Sequence, residues 1–229
     1  MIPLIYPRLC LHCKTPLPRS SKRFCNPCMQ LFDLIPTQYR CSQCFSEIRE
    51  PRGSCHPCRK RWAPLRRVAA CFDSFGPGGS LLRAFKEGRQ CSLAKDIAAF
   101  MVIQLKRQDW IAPEFIISMP QPNWKKMWRG FNQSLLLASE IGKLLQLPVI
   151  EPLKRRVGYF SSHLLDREER AAVEPSQFIW KKKVPDLDNR VLLLVDDQLV
   201  TGATLRAASA RLQDKDPRAV YALTFCGCS

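Results

Sequence analysis

The chain has 229 residues, 46% of them hydrophobic, and a formal net charge of +16. That length suits one medium domain plus a small one, and no apolar run approaches the roughly 18–20 residues that a membrane span needs. The charge points to a polyanionic partner, with nucleic acid the first candidate.

At the start of the chain, Met1–Ile5 is apolar but too short for a secretory signal, and Pro7-Arg8 interrupts it. A cytoplasmic location is therefore expected, with no membrane span. Twelve cysteines in a secreted chain would suggest disulfides. Here eight of the twelve fall in Cys-x-x-Cys pairs: Cys10/Cys13, Cys25/Cys28, Cys41/Cys44 and Cys55/Cys58. In a reducing compartment that pattern points to metal. The similar spacing of the pairs marks an internal duplication. Two knuckles complete a tetrahedral thiolate shell for zinc. The simplest assignment places the first two pairs on one ion and the last two on a second, and an interleaved arrangement is the alternative. All-cysteine shells are structural. This region has too few large apolar residues for its own core, so metal would supply folding energy on the order of 10–16 kcal/mol per site. Residues 1–62 are thus expected to form a double zinc ribbon, followed by a linker at Trp62-Ala63-Pro64 and a second domain over 66–229. Cys71 and Cys226 lie in apolar runs and read as small core residues. The ribbon is rich in arginine, which makes it a candidate docking surface.

The second domain opens with an expected strand over Arg67–Phe75, broken by Gly76-Pro77-Gly78-Gly79. Leu93, Ile97, Met101 and Leu105 recur at helical spacing. Phe115–Met119 reads as a buried strand ending at Pro120. After it comes a loop in which Trp124, Trp128 and Phe131 alternate with Lys125, Lys126 and Arg129, then Gly130-Phe131-Asn132-Gln133-Ser134, and then a helix carrying Leu137, Ile141, Leu144 and Leu145. Val191–Val195 is short and wholly apolar, as a strand buried on both faces would be. Asp196 and Asp197 follow, then the turn Thr201-Gly202-Ala203-Thr204, then a helix with Leu205, Ala208 and Leu212 on one side. Acids at the carboxyl end of a strand and a turn at the start of a helix mark the ligand edge of an open α/β sheet. Unpaired N–H groups at a helix start suit a phosphate. The acid pair suits vicinal hydroxyls or a magnesium ion held through water. A sugar phosphate satisfies both halves. Arg218–Phe225 alternates apolar residues and is expected to close a mainly parallel sheet with helices on both faces.

The stretch RVLLLVDDQLVTGAT over 190–204 resembles the phosphoribosyl-pyrophosphate (PRPP) motif of type I phosphoribosyltransferases. RGFNQS over 129–134, together with the paired cysteines ahead of it, resembles the ComF family of competence-associated proteins and their GntX-like relatives. In that family cysteine ribbons precede a phosphoribosyltransferase-like domain. The resemblance covers nearly the whole chain. It implies an α/β fold of the type I phosphoribosyltransferase kind and PRPP bound with magnesium. Asp196 and Asp197 would lie at the ribose hydroxyls, and Thr201, Gly202, Ala203 and Thr204 at the 5′-phosphate. Lys125, Lys126 and Arg129 would meet the pyrophosphate. Lys86 matches the lysine of a family Leu-Lys position. Leu153–Phe178 resembles the family's mobile loop, with Arg155, Arg167, Arg170 and Phe178 fitting its pattern. Departures fall at Tyr159, Ser162, Val173, Gln198 and Val200.

Two functional classes follow. One is a phosphoribosyltransferase-like enzyme, or a PRPP-sensing protein without turnover. The other is a single-stranded DNA-binding factor of DNA uptake or utilisation, or a recruiter of DNA-processing proteins, with Trp124, Trp128 and Phe131 as stacking surfaces beside the loop cations.

Overall fold

A computed structural model describes residues 8–18, 23–51, 53–59, 64–122, 130–156 and 174–227. Its centre is a five-stranded sheet in the order β1-β7-β6-β2-β3, parallel throughout. The strands are β1 (Arg67–Asp73), β2 (Phe115–Ser118), β3 (Val149–Ile150), β6 (Val191–Leu199) and β7 (Ala219–Gly227). Central strands of a parallel sheet are covered on both faces and need side chains without polar groups. Val191–Val195 meets that demand, and every residue of β7 is buried.

Connection handedness decides which face each helix takes. The crossover from β1 to β2 carries α3 (Gly76–Lys86) and α4 (Ala94–Lys106), and that from β2 to β3 carries α5 (Gln133–Leu145). Both run toward the β3 edge. The crossover from β6 to β7 carries α6 (Ala203–Leu212) and runs the other way. Right-handed crossovers therefore put α6 on the opposite face from α4 and α5. The contacts agree: α4 packs on α5, while α6 packs on the arm formed by antiparallel β4 (Leu153–Arg155) and β5 (Phe178–Trp180). This is the helix-flanked, parallel α/β sheet that the sequence leads one to expect.

The cysteine-rich segment, with single-turn helices α1 (Asn26–Met29) and α2 (His56–Arg59), lies against the β1 edge. Ile35 N–H donates to the Cys71 carbonyl at 2.9 Å, and Val68 N–H donates to the Ser42 carbonyl at 2.9 Å. An open sheet edge is thereby covered. Phe32 joins the two parts: its ring stacks on Phe100 at 5.3 Å and meets Phe24 and Phe72 edge-on at 5.0 and 5.4 Å. Gln104, fully buried in α4, donates to the carbonyls of both Ile35 and Ala70.

Several details depart from the sequence expectation. The ribbon's apolar residues are few, but Phe24, Ile35 and Phe45 are buried in one core continuous with the sheet. Pro64 is likewise buried, and its carbonyl accepts from Ser209 and Gln213 at 2.8 Å each. Gly76-Pro77-Gly78-Gly79 does not merely end β1. It is the first turn of α3, where Pro77 costs no hydrogen bond. A Cβ on Gly79 would fall 1.9 Å from the Ser74 carbonyl oxygen, so only glycine permits so tight a return. The strand expected over 191–195 continues to Leu199, and β7 runs over Ala219–Gly227 rather than 218–225.

Candidate ligand site and metal centres

The connections of β2 and β6 leave toward opposite faces, so a crevice opens between their carboxyl ends. Because β6 is longer than expected, the acid pair lies inside it. Val195 pairs with Ser118, the last residue of β2, and Asp196 pairs with Thr224 of β7. The acids thus overhang the end of β2 while β7 still supports them.

The two carboxylates are held differently. Ser134, fully buried in the first turn of α5, donates its Oγ to Asp196 Oδ1 at 2.7 Å. The Asp197 N–H donates to the same oxygen at 2.9 Å. Burial, then the neighbouring Asp197 charge, push the Asp196 carboxyl up to about 6, against the pull of those donors. Asp197 instead pairs with a cation, Lys86 Nζ at 2.9 Å. Lys86 ends α3, and its amine also donates to Gln198 Oε1 at 3.0 Å. Gln198, one of the family departures, is thus built into the site. The RGFNQS stretch supplies Ser134 and also Asn132, whose side chain caps α5 by accepting from Leu135 N–H at 3.2 Å.

Thr201–Thr204 follows β6 directly and opens α6. Gly202 has φ of 70°, in the left-handed region, and is the N-cap of α6. A Cβ there would meet Arg206 Nη1 at 2.9 Å, and that guanidinium donates to the Thr201 carbonyl at 2.9 Å. The Thr201 hydroxyl accepts from Ala203 N–H at 3.3 Å. The acid pair and the turn therefore sit on consecutive pieces of one strand–turn–helix, and Lys86 reaches Asp197 from α3.

On the far side stands the β4–β5 arm. Arg155 lies over the ring of buried Phe178, 5.4 Å from its centroid, and its Nε has no hydrogen-bond partner among the described residues. Burial lowers the guanidinium's pKa, and the Asp196 charge opposes that shift. Trp180 Nε1–H ties the arm to Asp214 at 3.1 Å. Phe131 is half-buried and leans on Phe85, with ring centroids 5.7 Å apart. Trp124, Lys125, Lys126, Trp128 and Arg129 lie outside the described residues, as do Tyr159, Ser162, Arg167, Arg170 and Val173. Sequence reasoning assigned no role to Ser134 or Ser74 and gave Lys86 no contact. Ser134 was present in RGFNQS, but nothing local ties it to an acid 62 positions away.

The eight paired cysteines form two clusters: Cys10, Cys13, Cys25 and Cys28 in one, Cys41, Cys44, Cys55 and Cys58 in the other. This is the adjacent pairing, not the interleaved one. Within each cluster the Sγ atoms lie within 4.8 Å of one another, and Cys13–Cys25 and Cys44–Cys55 are each 3.6 Å apart. A tetrahedral shell with zinc–sulfur bonds of about 2.3 Å places sulfurs about 3.8 Å apart, so the donor sets fit zinc. The thiols are already unequal. A hydrogen bond from Cys44 brings Cys41 down to about 4, and one from Thr15 brings Cys13 to about 6, whereas burial pushes Cys28 up to about 12. His12 is no part of a shell: its Nδ1 lies 3.0 Å from Ser80 Oγ on α3.

Competence protein F of Haemophilus influenzae is 24% identical over 209 residues, covering 89% of this chain and 90% of that protein. DNA utilization protein YhgH of Escherichia coli is 24% identical over 228 residues, covering 97% and 98%. The resemblance to the ComF family holds over nearly the whole chain. The YhgH protein of Salmonella typhimurium is similar to the same extent, at 25% identity. No protein-family model matches the chain. Among solved structures, a purine phosphoribosyltransferase of Pyrococcus horikoshii covers 57% of this chain and 82% of its own at 14% identity and TM-score 0.36. The adenine phosphoribosyltransferase of Leishmania tarentolae covers 83% and 84% at 14% identity and TM-score 0.38. The fold class itself rests on strand order and helix placement. No helix of the described residues is long and apolar enough to cross a membrane.

Proposed function

We propose that this chain binds PRPP with magnesium at the crevice between β2 and β6, within a role in DNA uptake or utilisation, and that its reaction class is phosphoribosyl transfer. One observation carries the reading: the acid pair on β6 runs directly into the turn Thr201–Thr204 that opens a helix, with Gly202 in the left-handed region as its N-cap. Asp196 and Asp197 would accept hydrogen bonds from the ribose hydroxyls. The N–H groups and hydroxyls of Thr201–Thr204 would receive the 5′-phosphate. Magnesium, brought with the pyrophosphate, would neutralise charge as that group leaves, and Lys125, Lys126 and Arg129 would share the task. Zinc would hold the two cysteine clusters and act structurally.

The DNA setting is drawn from the names of the relatives and from the charge of +16. It supports a second reading, in which the chain also holds single-stranded DNA or a DNA-processing partner, with Trp124 and Trp128 as stacking rings. Calorimetric titration of the zinc-loaded protein with PRPP and Mg²⁺ tests the first reading. Binding by wild type, weakened at least about tenfold in Asp197→Asn, is expected. No heat, or equal binding by the variant, would defeat it. Affinity for an oligonucleotide that does not fall with salt would defeat the electrostatic form of the second.

A further inference from the structure

Around Asp197 a chain of polar contacts leads away from the crevice, and each link fixes the next. Ser74 Oγ donates its proton to the Gly227 carbonyl at 3.0 Å, so toward other donors the hydroxyl acts as an acceptor. Gln198 Nε2 donates to that hydroxyl at 3.2 Å. The Gln198 amide oxygen must then point the other way, and it accepts from Lys86 Nζ at 3.0 Å. The reversed amide would set an NH₂ group against an ammonium, so the orientation is determined by its neighbours. Lys86 therefore has two oxygen acceptors, the neutral one of Gln198 and the charged one of Asp197 at 2.9 Å. Both partners are sheltered, with side-chain exposures of 18% for Lys86 and 9% for Asp197. The backbone behind them is equally constrained: Ser74 N–H also donates to the Gly227 carbonyl at 3.0 Å, and Gly79 packs on the Ser74 carbonyl.

The acid pair is consequently asymmetric. Among the described residues, Asp196 accepts hydrogen bonds from neutral donors only, Ser134 and the backbone. Asp197 is already matched by a cation. We propose that Lys86 is a resident counter-cation of Asp197 and that Gln198 is the positioning residue that keeps it there. A ligand bearing vicinal hydroxyls then reaches Asp196 directly but gains Asp197 only by displacing the ammonium. Gln198 thereby sets the affinity of the site for its sugar. With Lys86 in place the two acids and the lysine sum to one negative charge instead of two, which weakens the hold on a free divalent cation and favours a metal that arrives with pyrophosphate. The part concerning the sugar rests on the proposed PRPP reading. The part concerning Lys86 does not.

The experiment therefore has a ligand-free arm and a ligand arm. In the first, the zinc-loaded protein is reductively methylated with formaldehyde and cyanoborohydride, and labelling of each lysine is followed by mass spectrometry. Lys86 is expected to react on the order of tenfold more slowly than exposed Lys106, since hydrogen bonds to a charged group hold it. Gln198→Leu should speed its labelling. Gln198→Glu, which sets a second carboxylate on the amine, should slow it further. In the second arm, PRPP–Mg²⁺ affinity should rise roughly threefold to tenfold in Gln198→Leu and fall in Gln198→Glu. A residue that merely braced the fold would lower affinity in both variants. Wild-type Lys86 labelling as fast as Lys106, or indifferent to both substitutions, would overturn the proposal, as would variants that both weaken PRPP binding. If labelling responds as expected but wild type binds no PRPP, the counter-cation stands and the PRPP reading fails.

Discussion

Asp196 is the residue whose chemistry most directly links stability to binding. Its carboxyl is raised from the ordinary 3.8 to about 6. The folded protein thus binds that proton more tightly than the unfolded chain does. Its contribution destabilises the fold above pH 6 and vanishes below about pH 3.8, so it is lost progressively as pH falls between those values. Asp196→Asn is expected to make the protein more resistant to urea at pH 8 than wild type, with the advantage shrinking by pH 4. The same substitution should weaken PRPP–Mg²⁺ binding, and wild-type binding should weaken as pH falls through about 6. Equal urea midpoints for variant and wild type at pH 8 would contradict this. Gly202 is the other sensitive residue. Gly202→Val adds a branched Cβ at positive φ and crowds Arg206, at a cost of order 1–3 kcal/mol measurable by urea denaturation. Both residues were visible in the sequence as members of a motif. The unequal holding of the two acids was not, because Ser134 and Lys86 come from other elements.

At the scale of elements, periodicity placed the helices over 94–106 and 133–145 and the apolar runs placed the strands. Boundaries were harder. β6 outlasts its apolar run because Asp196 and Gln198 still pair with Thr224 and Cys226 of β7, and ladder partners are invisible in one strand's own residues. The start of α3 was hidden by three glycines and a proline that locally favour a turn but here serve a close return against Ser74. The cysteine spacing, by contrast, fixed its own local geometry, and only the choice between adjacent and interleaved shells needed three dimensions. Each cluster should bind one zinc. Elemental analysis is expected to find two per chain, and Cys41→Ser combined with Cys44→Ser to leave one. Two ions in that variant would contradict the assignment.

For the whole molecule, the decisive feature is that ribbon and sheet share a core. Phe32 packs among Phe24, Phe72 and Phe100, and Gln104 links Ile35 to Ala70. No sequence pattern foretold this, since Phe32 and Gln104 each look ordinary within their own segments. Gln104→Leu leaves two buried carbonyls without that donor and should cost about 1–3 kcal/mol. Chelation of zinc should lower the urea midpoint of the sheet as well as the ribbon, read from aromatic fluorescence. An unchanged sheet transition would contradict the shared core. The central claim is that a sugar phosphate lies across the acid pair with its phosphate on the Gly202 turn. Phosphorus NMR of PRPP with Mg²⁺ and the zinc-loaded protein tests it most directly. The 5′-phosphate resonance should shift with wild type and stay at its free position with Gly202→Val; a 5′-phosphate signal that wild type leaves unmoved would contradict the account.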